Sequence, residues 1–233
     1  MHLRSLMRCA VVIATWFALG SSQAGAQDPA LEHVLTQMDI AAKDFRSLQA
    51  SFVWDQYTKV VQDTDTSRGV VYFQRDGKEM KMAADITEPA AKSVLFADGE
   101  VKMYEPKIDR VTEYKTGKNR AEVESFLVLG FGGRGHDLLK SYDVKYLGQE
   151  TVDGVETARL ELTPKSEKAH NQFTQILLWI DPKQGISVQQ KLLQPSGDYR
   201  LAKYTKIQLN QKLPDGVFRL KTTSKTTYLS PQG

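Results

Sequence analysis

Short runs of alternating apolar and polar residues occupy the stretch from residue 68 to residue 105. The runs cover residues 68–75, 79–84, 92–97 and 100–105. Asp76-Gly77 and Asp98-Gly99 each separate two runs, and glycine supplies the positive φ that a tight hairpin turn needs. Thr87-Glu88-Pro89 breaks the remaining connection. The pattern therefore predicts four consecutive antiparallel strands.

Alternation also assigns the side chains of these strands to faces. Because successive residues point to opposite faces, Val71, Phe73 and Arg75 share one face, and Arg75 ends an otherwise apolar row. Met80 and Met82 share a face of the next run, and flexible methionines suit a surface that must fit variable apolar shapes. Two interpretations stay open at this point: a packed core with one arginine at its rim, or the wall of a cavity.

Helical spacing occurs before and between the strands. After Asp28-Pro29, a favourable N-cap and first-turn pair, apolar residues recur every three or four positions and predict an amphipathic helix ending near Ser47. Residues 119–129 predict a second helix, and a short third helix is expected around residues 136–140. The apolar side of each helix needs a surface to cover, and the sheet offers one.

The rest of the chain predicts strands. Residues 49–59 form a strand with Phe52 and Trp54 on one face, and residues 61–67 a polar loop. Further strands are expected at 111–115, 144–150, 155–162, 172–180, 186–193, 199–209 and 219–228. We therefore expect a mainly β fold with some helix (α+β), an unclosed and strongly curved antiparallel β-barrel of about eleven strands. A plain two-sheet sandwich is the alternative.

A glycine cluster at residues 130–135 matches the spacing of the dinucleotide-binding fingerprint, G-x-G-x-x-G. That fingerprint requires a strand before it, a helix after it and a βαβ unit around it. Here a helix precedes the glycines and the flanking strands predict meanders, so we reject a nucleotide site. A flexible joint between two helices that form a lid explains the glycines better.

The first 26 residues predict an export signal. Arg4 and Arg8 precede an apolar run from Cys9 to Leu19, which is shorter than the ~20 residues of a membrane-spanning helix. Small residues ending at Ala26 fit a cleavage site, although an uncleaved anchor is the alternative. Cys9 is the only cysteine of the chain, so the mature protein, residues 27–233, is expected to be one periplasmic domain without disulfides or thiolate chemistry.

Charge and motifs exclude several classes of function. Removing Arg4 and Arg8 from the 31 basic residues leaves them nearly balanced by the 28 acidic ones, which argues against nucleic-acid binding. His33, His136 and His170 lie far apart in sequence, and neither H-E-x-x-H nor G-x-S-x-G occurs. We expect no catalytic residues, no metal site and no cofactor.

Several short motifs together resemble the LolA family of periplasmic lipoprotein carriers. They are RGVVYFQRDGK, the Pro-containing break followed by SVLFADGEVKMYEP, and the shorter ASF, LTPK, QFT and LPDGVF segments. The resemblance implies an unclosed barrel capped by a helical lid, with an apolar cavity between the two. It also implies a monomer that receives lipoproteins from an inner-membrane ABC transporter and passes them to an outer-membrane acceptor.

The same resemblance implies a role for Arg75 as a lid latch. In the family, an arginine at this place in the motif binds the lid backbone in the closed form. The family's usual proline after that arginine is replaced here by Asp76, which leaves the shape of the turn open.

Physical chemistry supports a carrier independently. Exposing an acyl chain to water costs about 0.8 kcal/mol per CH₂, so a lipid crossing an aqueous compartment needs an apolar container. The predicted acyl-chain cavity is walled by Phe52, Trp54, Val71, Phe73, Met80, Met82, Leu95, Met103, Phe126, Leu127, Ile176 and Leu178. An envelope-stress-sensing module of the same fold and a lipid-modifying enzyme are the alternatives.

Overall fold

A computed structural model of the protein describes residues 28–77, 79–117 and 120–231. The predicted export signal, residues 1–26, lies outside these residues. The helices are α1 (Pro29–Asp44), α2 (Arg120–Leu127), α3 (Gly135–Ser141) and α4 (Glu167–His170). The strands are β1 (Ser47–Thr58), β2 (Asp63–Asp76), β3 (Glu79–Glu88), β4 (Lys92–Ala97), β5 (Glu100–Glu105), β6 (Arg110–Lys115), β7 (Tyr142–Val152), β8 (Val155–Pro164), β9 (Gln175–Asp181), β10 (Ile186–Leu193), β11 (Tyr199–Leu209) and β12 (Thr227–Leu229).

All twelve strands of the described residues belong to one curved, unclosed sheet. Its order is β12-β6-β5-β4-β3-β2-β1-β11-β10-β9-β8-β7, so β1 lies in the middle and joins two series of hairpins. Every pairing is antiparallel except that of β12 with β6. The predicted fold class is therefore confirmed, and the twelve strands agree with the expected number of about eleven.

Two predicted segments differ from the structure. Residues 63–67, predicted as loop, extend β2 and pair with β1 as far as Thr58 opposite Asp63. This extension is polar on both faces, so alternation could not reveal it. The strand predicted at residues 219–228 is reduced to β12, because side chains hold much of the segment instead: Thr223 and Thr226 each donate a hydrogen bond to Asp109.

Helix α1 begins and covers the sheet as its sequence predicts. The Asp28 carboxylate caps the helix by accepting a hydrogen bond from the Ala30 amide, at 2.9 Å. Leu35 and Met38 on its inner side are fully buried against Leu160, Ile176 and Leu178. Burying each such side chain contributes about 1.5–3 kcal/mol, so this packing holds α1 firmly on strands β8 and β9.

A second apolar cluster occupies the same concave face around β1 and extends from β10 to β5. It combines Phe52, Phe73 and Met82 of the sheet with Phe45 and Phe131 from outside the strands. Helix α2 and the residues after it lie over this cluster, and the sheet therefore has one half covered by α1 and another half covered by the α2 region. None of the described helices is long and apolar enough to cross a membrane.

Candidate functional site

An apolar cavity of about 360 Å³ lies between the concave face of the sheet and the α2 region. Its floor consists of alternate residues of β1 to β4, β10 and β11. Its roof consists of residues from α2 and from the segment that follows α2. The lining residues are Phe52, Trp54, Val71, Phe73, Met82, Ala84, Ile86, Val94, Phe126, Leu127, Leu129, Phe131, Gln190, Leu192, Arg200, Ala202 and Tyr204.

Most of the residues predicted as cavity wall line this cavity. They are Phe52, Trp54, Val71, Phe73, Met82, Phe126 and Leu127. Met80 is buried in the same cluster but lies next to α2, where the Glu124 carboxylate accepts a hydrogen bond from its amide at 3.1 Å. Met103 lies on the cavity face, paired with the lining residue Val94, one strand beyond the cavity.

Leu95 has a different place, since it lies on the opposite face of the sheet. Its paired neighbours are Ala83 and Lys102, whereas Val94 and Phe96 on either side of it face the cavity cluster. The turn before β4 does not fix which alternate residues of that strand face the cavity. Alternation alone therefore placed Leu95 on the wrong face.

Ile176 and Leu178 lie on the predicted face but outside the cavity. They pair with Leu192 and Gln190, which do line it. Helix α1 covers Ile176 and Leu178 directly, so they belong to the packed half of the concave face. The sequence could not show where the packed half ends and the cavity begins.

The roof is completed by residues 128–134, which we call the covering segment. Phe131 anchors it: the ring is 1% exposed, stacks on Phe73 at 4.8 Å and meets the edge of Tyr204 at 4.7 Å between centroids. The glycine-rich joint predicted between two helices is therefore firmly packed in this structure. Gly132, at φ +70°, brings the backbone so close to Phe45 that a Cβ atom would lie 2.5 Å from the ring.

Arg75 bridges the covering segment and α1. Its guanidinium donates one hydrogen bond to the Ala42 carbonyl and a second to the Gly132 carbonyl. The Ala42 carbonyl lies in the last turn of α1, where helical carbonyls lack an intrahelical donor. The guanidinium also lies 5.5 Å from the centre of the Phe45 ring. One side chain of the sheet thus ties together both elements that cover the concave face.

Gln190 provides a second tie from the other side of the cavity. Its side-chain amide donates a hydrogen bond to the Leu129 carbonyl at 2.5 Å, and its oxygen accepts one from the Tyr204 hydroxyl at 3.3 Å. Burial raises the pKa of Tyr204, so the hydroxyl stays protonated and able to donate. The Ser187 amide donates to the Gly130 carbonyl as well, at 2.8 Å.

Helix α3, which follows the covering segment, is docked on α1 by a charged cluster. The His136 ring lies 2.8 Å from an Asp39 oxygen through Nδ1 and 3.0 Å from a Glu32 oxygen through Nε2. These hydrogen bonds, that of Asp39 first, raise the pKa of His136 although burial opposes them. Burial acts to raise the pKa of Asp39, but hydrogen bonds from His136 and the nearby Arg134 charge lower it overall.

We expect this cluster to make stability depend on pH. Because folding raises the pKa of His136, its contribution is complete below about pH 6.5 and is lost as the pH rises through the raised value. The Tm of the parent should therefore fall more between about pH 5.5 and about pH 8.5 than that of His136→Gln. The effect is modest, since the His136 side chain is 36% exposed.

Thermal unfolding followed by circular dichroism measures this difference. His33→Gln is the matched control, because His33 lies exposed on the same helix α1. The same pH dependence in His136→Gln and in the parent would contradict the assignment.

Sequence reasoning missed ten of the seventeen residues that line the cavity, and four of these matter most for its roof and its polar contacts. Phe131, Gln190, Arg200 and Tyr204 were not singled out, although all of them line the cavity. Phe131 stands among glycines, which drew attention to flexibility instead of to the ring. The other three come from β10 and β11, whose pairing with each other and with β1 is set by residues distant in sequence.

Comparison with solved structures reveals the same fold in other proteins. The MucA/MucB complex of Pseudomonas aeruginosa matches with a TM-score of 0.50 and 16% identity over 83% of this chain and 61% of that chain. An uncharacterised conserved protein from Thermus thermophilus matches with a TM-score of 0.54 and 10% identity over 86% and 98% of the two chains. The Mycobacterium tuberculosis lipoprotein LppX matches with a TM-score of 0.50 and 14% identity, over 81% of this chain and 99% of LppX.

The extent of these matches differs. This chain spans about three-fifths of the chain matched in the MucA/MucB complex, but nearly the whole of LppX. At such identities the likeness shows the fold alone. No curated protein matches the sequence.

A family sequence model, in contrast, matches this chain directly. It is described as outer membrane lipoprotein carrier protein LolA, and it matches residues 43–221. The matched region includes all residues that line the cavity, together with Arg75 and the covering segment. Since the match extends over most of the sequence, the protein belongs to the LolA family.

Proposed function

We propose that the protein is a periplasmic carrier that binds the acyl chains of lipoproteins in the cavity and moves them from the inner to the outer membrane. The observation that carries this proposal is an apolar cavity whose roof is attached by a few hydrogen bonds and by the packed ring of Phe131. Family membership supports the same conclusion, including an ABC transporter as donor and an outer-membrane protein as acceptor.

The lining suits hydrocarbon. Aromatic and aliphatic side chains provide nearly all of it, and the polar lining groups are Gln190, Arg200 and Tyr204. Each CH₂ group that moves from water into such a lining gains about 0.8 kcal/mol. A chain of ordinary length therefore binds strongly enough to be carried through an aqueous compartment.

The volume indicates that the cavity must enlarge. Ligand sites usually measure about 300–1,000 Å³, so a cavity of about 360 Å³ lies near the lower limit. It suits one chain better than the several chains of a lipoprotein. Lifting the covering segment would enlarge it, and this breaks the bonds from Arg75 and Gln190. Closure of the roof then competes with binding, which gives the carrier a means of release.

The ionisable side chains of the lining favour binding over catalysis. They are the phenol of Tyr204, which burial keeps protonated, and the guanidinium of Arg200. Neither is paired with a nucleophile or a general base among the lining residues. We therefore assign no catalytic step to the cavity.

The proposal is tested with a peptide carrying the acylated N-terminus of a lipoprotein and the same peptide without acyl chains. The purified protein should bind the acylated peptide and keep it in solution, and it should not bind the unmodified one. Equal binding of both peptides, or of neither, would refute the carrier function.

A sensor of acylated ligands is a second candidate, favoured by the fold likeness to MucB in its complex with MucA. A sensor would hold a protein partner in the absence of ligand and release it when ligand binds. Purification from periplasm followed by mass spectrometry distinguishes the two: a carrier yields many different lipoproteins, whereas a sensor yields one constant protein partner.

A further inference from the structure

Arg200 lies where the apolar cavity meets a polar recess. Its side chain lines the cavity together with Trp54 and Leu192. It also lines an adjoining open recess of about 540 Å³ whose other lining residues are Asn171, Gln172, Phe173, Gln194, Pro195 and Ser196. A molecule with its tail in the cavity would therefore place its other end beside Arg200.

Nothing in the described residues neutralises this guanidinium. Arg200 takes part in no ion pair there, and its Nε is buried without a hydrogen-bond acceptor. Its described contact is the face of Trp54, with 5.6 Å from the guanidinium carbon to the ring centre. By contrast, Arg68 lies 3.1 Å from a carboxylate oxygen of Glu88. Arg110, whose Nε is also buried without an acceptor, still has an ion pair, 3.0 Å from a carboxylate oxygen of Glu105.

Leaving the buried Nε of this guanidinium without an acceptor is costly, because a charged donor removed from water must regain its hydrogen bond. The Trp54 ring compensates through a cation–π contact but accepts no conventional hydrogen bond. A carboxylate or phosphate would fit better, since the planar guanidinium can donate two parallel hydrogen bonds to either group. Acyl esters and amides offer neutral carbonyl oxygens, which bind a guanidinium more weakly.

We propose that the cavity takes a single-chain amphiphile with an anionic head, and that Arg200 binds this head. This inference rests on the proposed function, whose hydrocarbon site it shares. The volume of about 360 Å³ accommodates one tail, and the amide and hydroxyl groups of Gln172, Gln194 and Ser196 in the recess can hydrogen-bond the rest of the head. The head is either the carboxylate of a fatty acid or the phosphate of a lysophospholipid.

The test compares ligands that have the same tail. Palmitate, monopalmitoyl phosphatidic acid and uncharged monopalmitoylglycerol are titrated against the purified protein below their micelle concentrations, by calorimetry. The parent should bind at least one anionic ligand about tenfold or more tightly than the neutral one. The anionic ligand that binds more tightly shows whether the head is a carboxylate or a phosphate.

Substitutions at Arg200 then test whether this residue causes the preference for anionic over neutral ligands. Arg200→Gln should reduce the affinity for the anionic ligand about tenfold more than the affinity for the neutral one, while Arg200→Lys should keep part of the preference. Arg68→Gln is the matched control, because Arg68 is an exposed arginine in the same sheet. It should retain the full preference.

The remaining outcomes separate this inference from the carrier function. Equal affinities of the parent for charged and neutral ligands overturn the role of Arg200 but leave a hydrocarbon site in place. Loss of neutral binding in Arg200→Gln shows that Arg200 supports the cavity wall and overturns the inference as well. If none of the single-chain ligands binds but the acylated peptide does, the inference fails and the carrier stands. If neither the single-chain ligands nor the acylated peptide binds, both the inference and the carrier function fail.

Discussion

Replacing Arg75 by leucine should release the covering segment while the sheet stays folded. The variant loses the donors to the Ala42 and Gly132 carbonyls, and hydrogen bonds from a charged group contribute about 1.5–3 kcal/mol each. Opening of the segment breaks the bond to Gly132 but not the bond to Ala42, and the bonds from Gln190 and Ser187 are the same in parent and variant. We therefore expect opening to become easier by about 2–3 kcal/mol. Strand β2 remains paired with β1 and β3 along its backbone.

Amide hydrogen exchange followed by mass spectrometry measures this opening. Exchange in residues 128–134 should accelerate by about 30- to 150-fold in Arg75→Leu, since each 1.4 kcal/mol corresponds to a factor of ten. Because closure competes with binding, the same variant should hold an acylated peptide more tightly and release it more slowly.

Arg68→Leu is the control for the loss of an arginine from the same strand. Its ion pair with Glu88 is exposed, and such pairs contribute at most about 1 kcal/mol. Its exchange and release should resemble those of the parent. Parental exchange and release in Arg75→Leu would show that Arg75 does not control the roof.

Filling the cavity should abolish acyl binding. Ala84 lies in the floor, paired with Val71 on one side and Val94 on the other, and all three residues line the cavity. The indole of Ala84→Trp would extend into the space proposed for a hydrocarbon chain. We expect the affinity for an acylated peptide to fall by about a hundredfold or more, since several CH₂ groups lose their place at about 0.8 kcal/mol each.

The protein itself should remain stable, because the new ring fills empty volume instead of displacing packed atoms. Ala91→Trp is the matched control, since Ala91 is exposed in the turn before β4 and the same ring there meets solvent. Binding is measured by fluorescence anisotropy of a labelled acyl peptide, and Tm by circular dichroism. If the folded Ala84→Trp protein binds the acyl peptide with the same affinity as the parent, acyl chains bind elsewhere.

The sequence predicted those parts of the fold whose causes are local. Asp-Gly turns set the β2–β3 and β4–β5 hairpins, and Asp98 and Gly99 do adopt positive φ values of 53° and 75°. The cap at Asp28 and the apolar stripe of α1 are equally local. Alternation also predicted the face that carries Phe52, Val71 and Phe73.

What the sequence could not predict depends on pairing between distant segments. Gln190 and Tyr204 enter the site because β11 pairs with β10 and with β1, and no local pattern marks either residue as a cavity residue. Leu95 was misassigned since a turn of unknown geometry precedes it. The family resemblance, and no feature of alternation, suggested a latch role for Arg75, and its two carbonyl partners became visible only in three dimensions.

The central place of β1 in the sheet has a consequence for folding. Leu48 pairs with Leu209, and Tyr57 with Tyr199, so the cavity floor is complete only when nearly the whole chain is available. Contacts between such distant residues make folding slow, because a large loop must close before the contacts form. A nascent chain that still lacks β11 therefore cannot complete the cavity floor, so the cavity forms late in the folding of this protein.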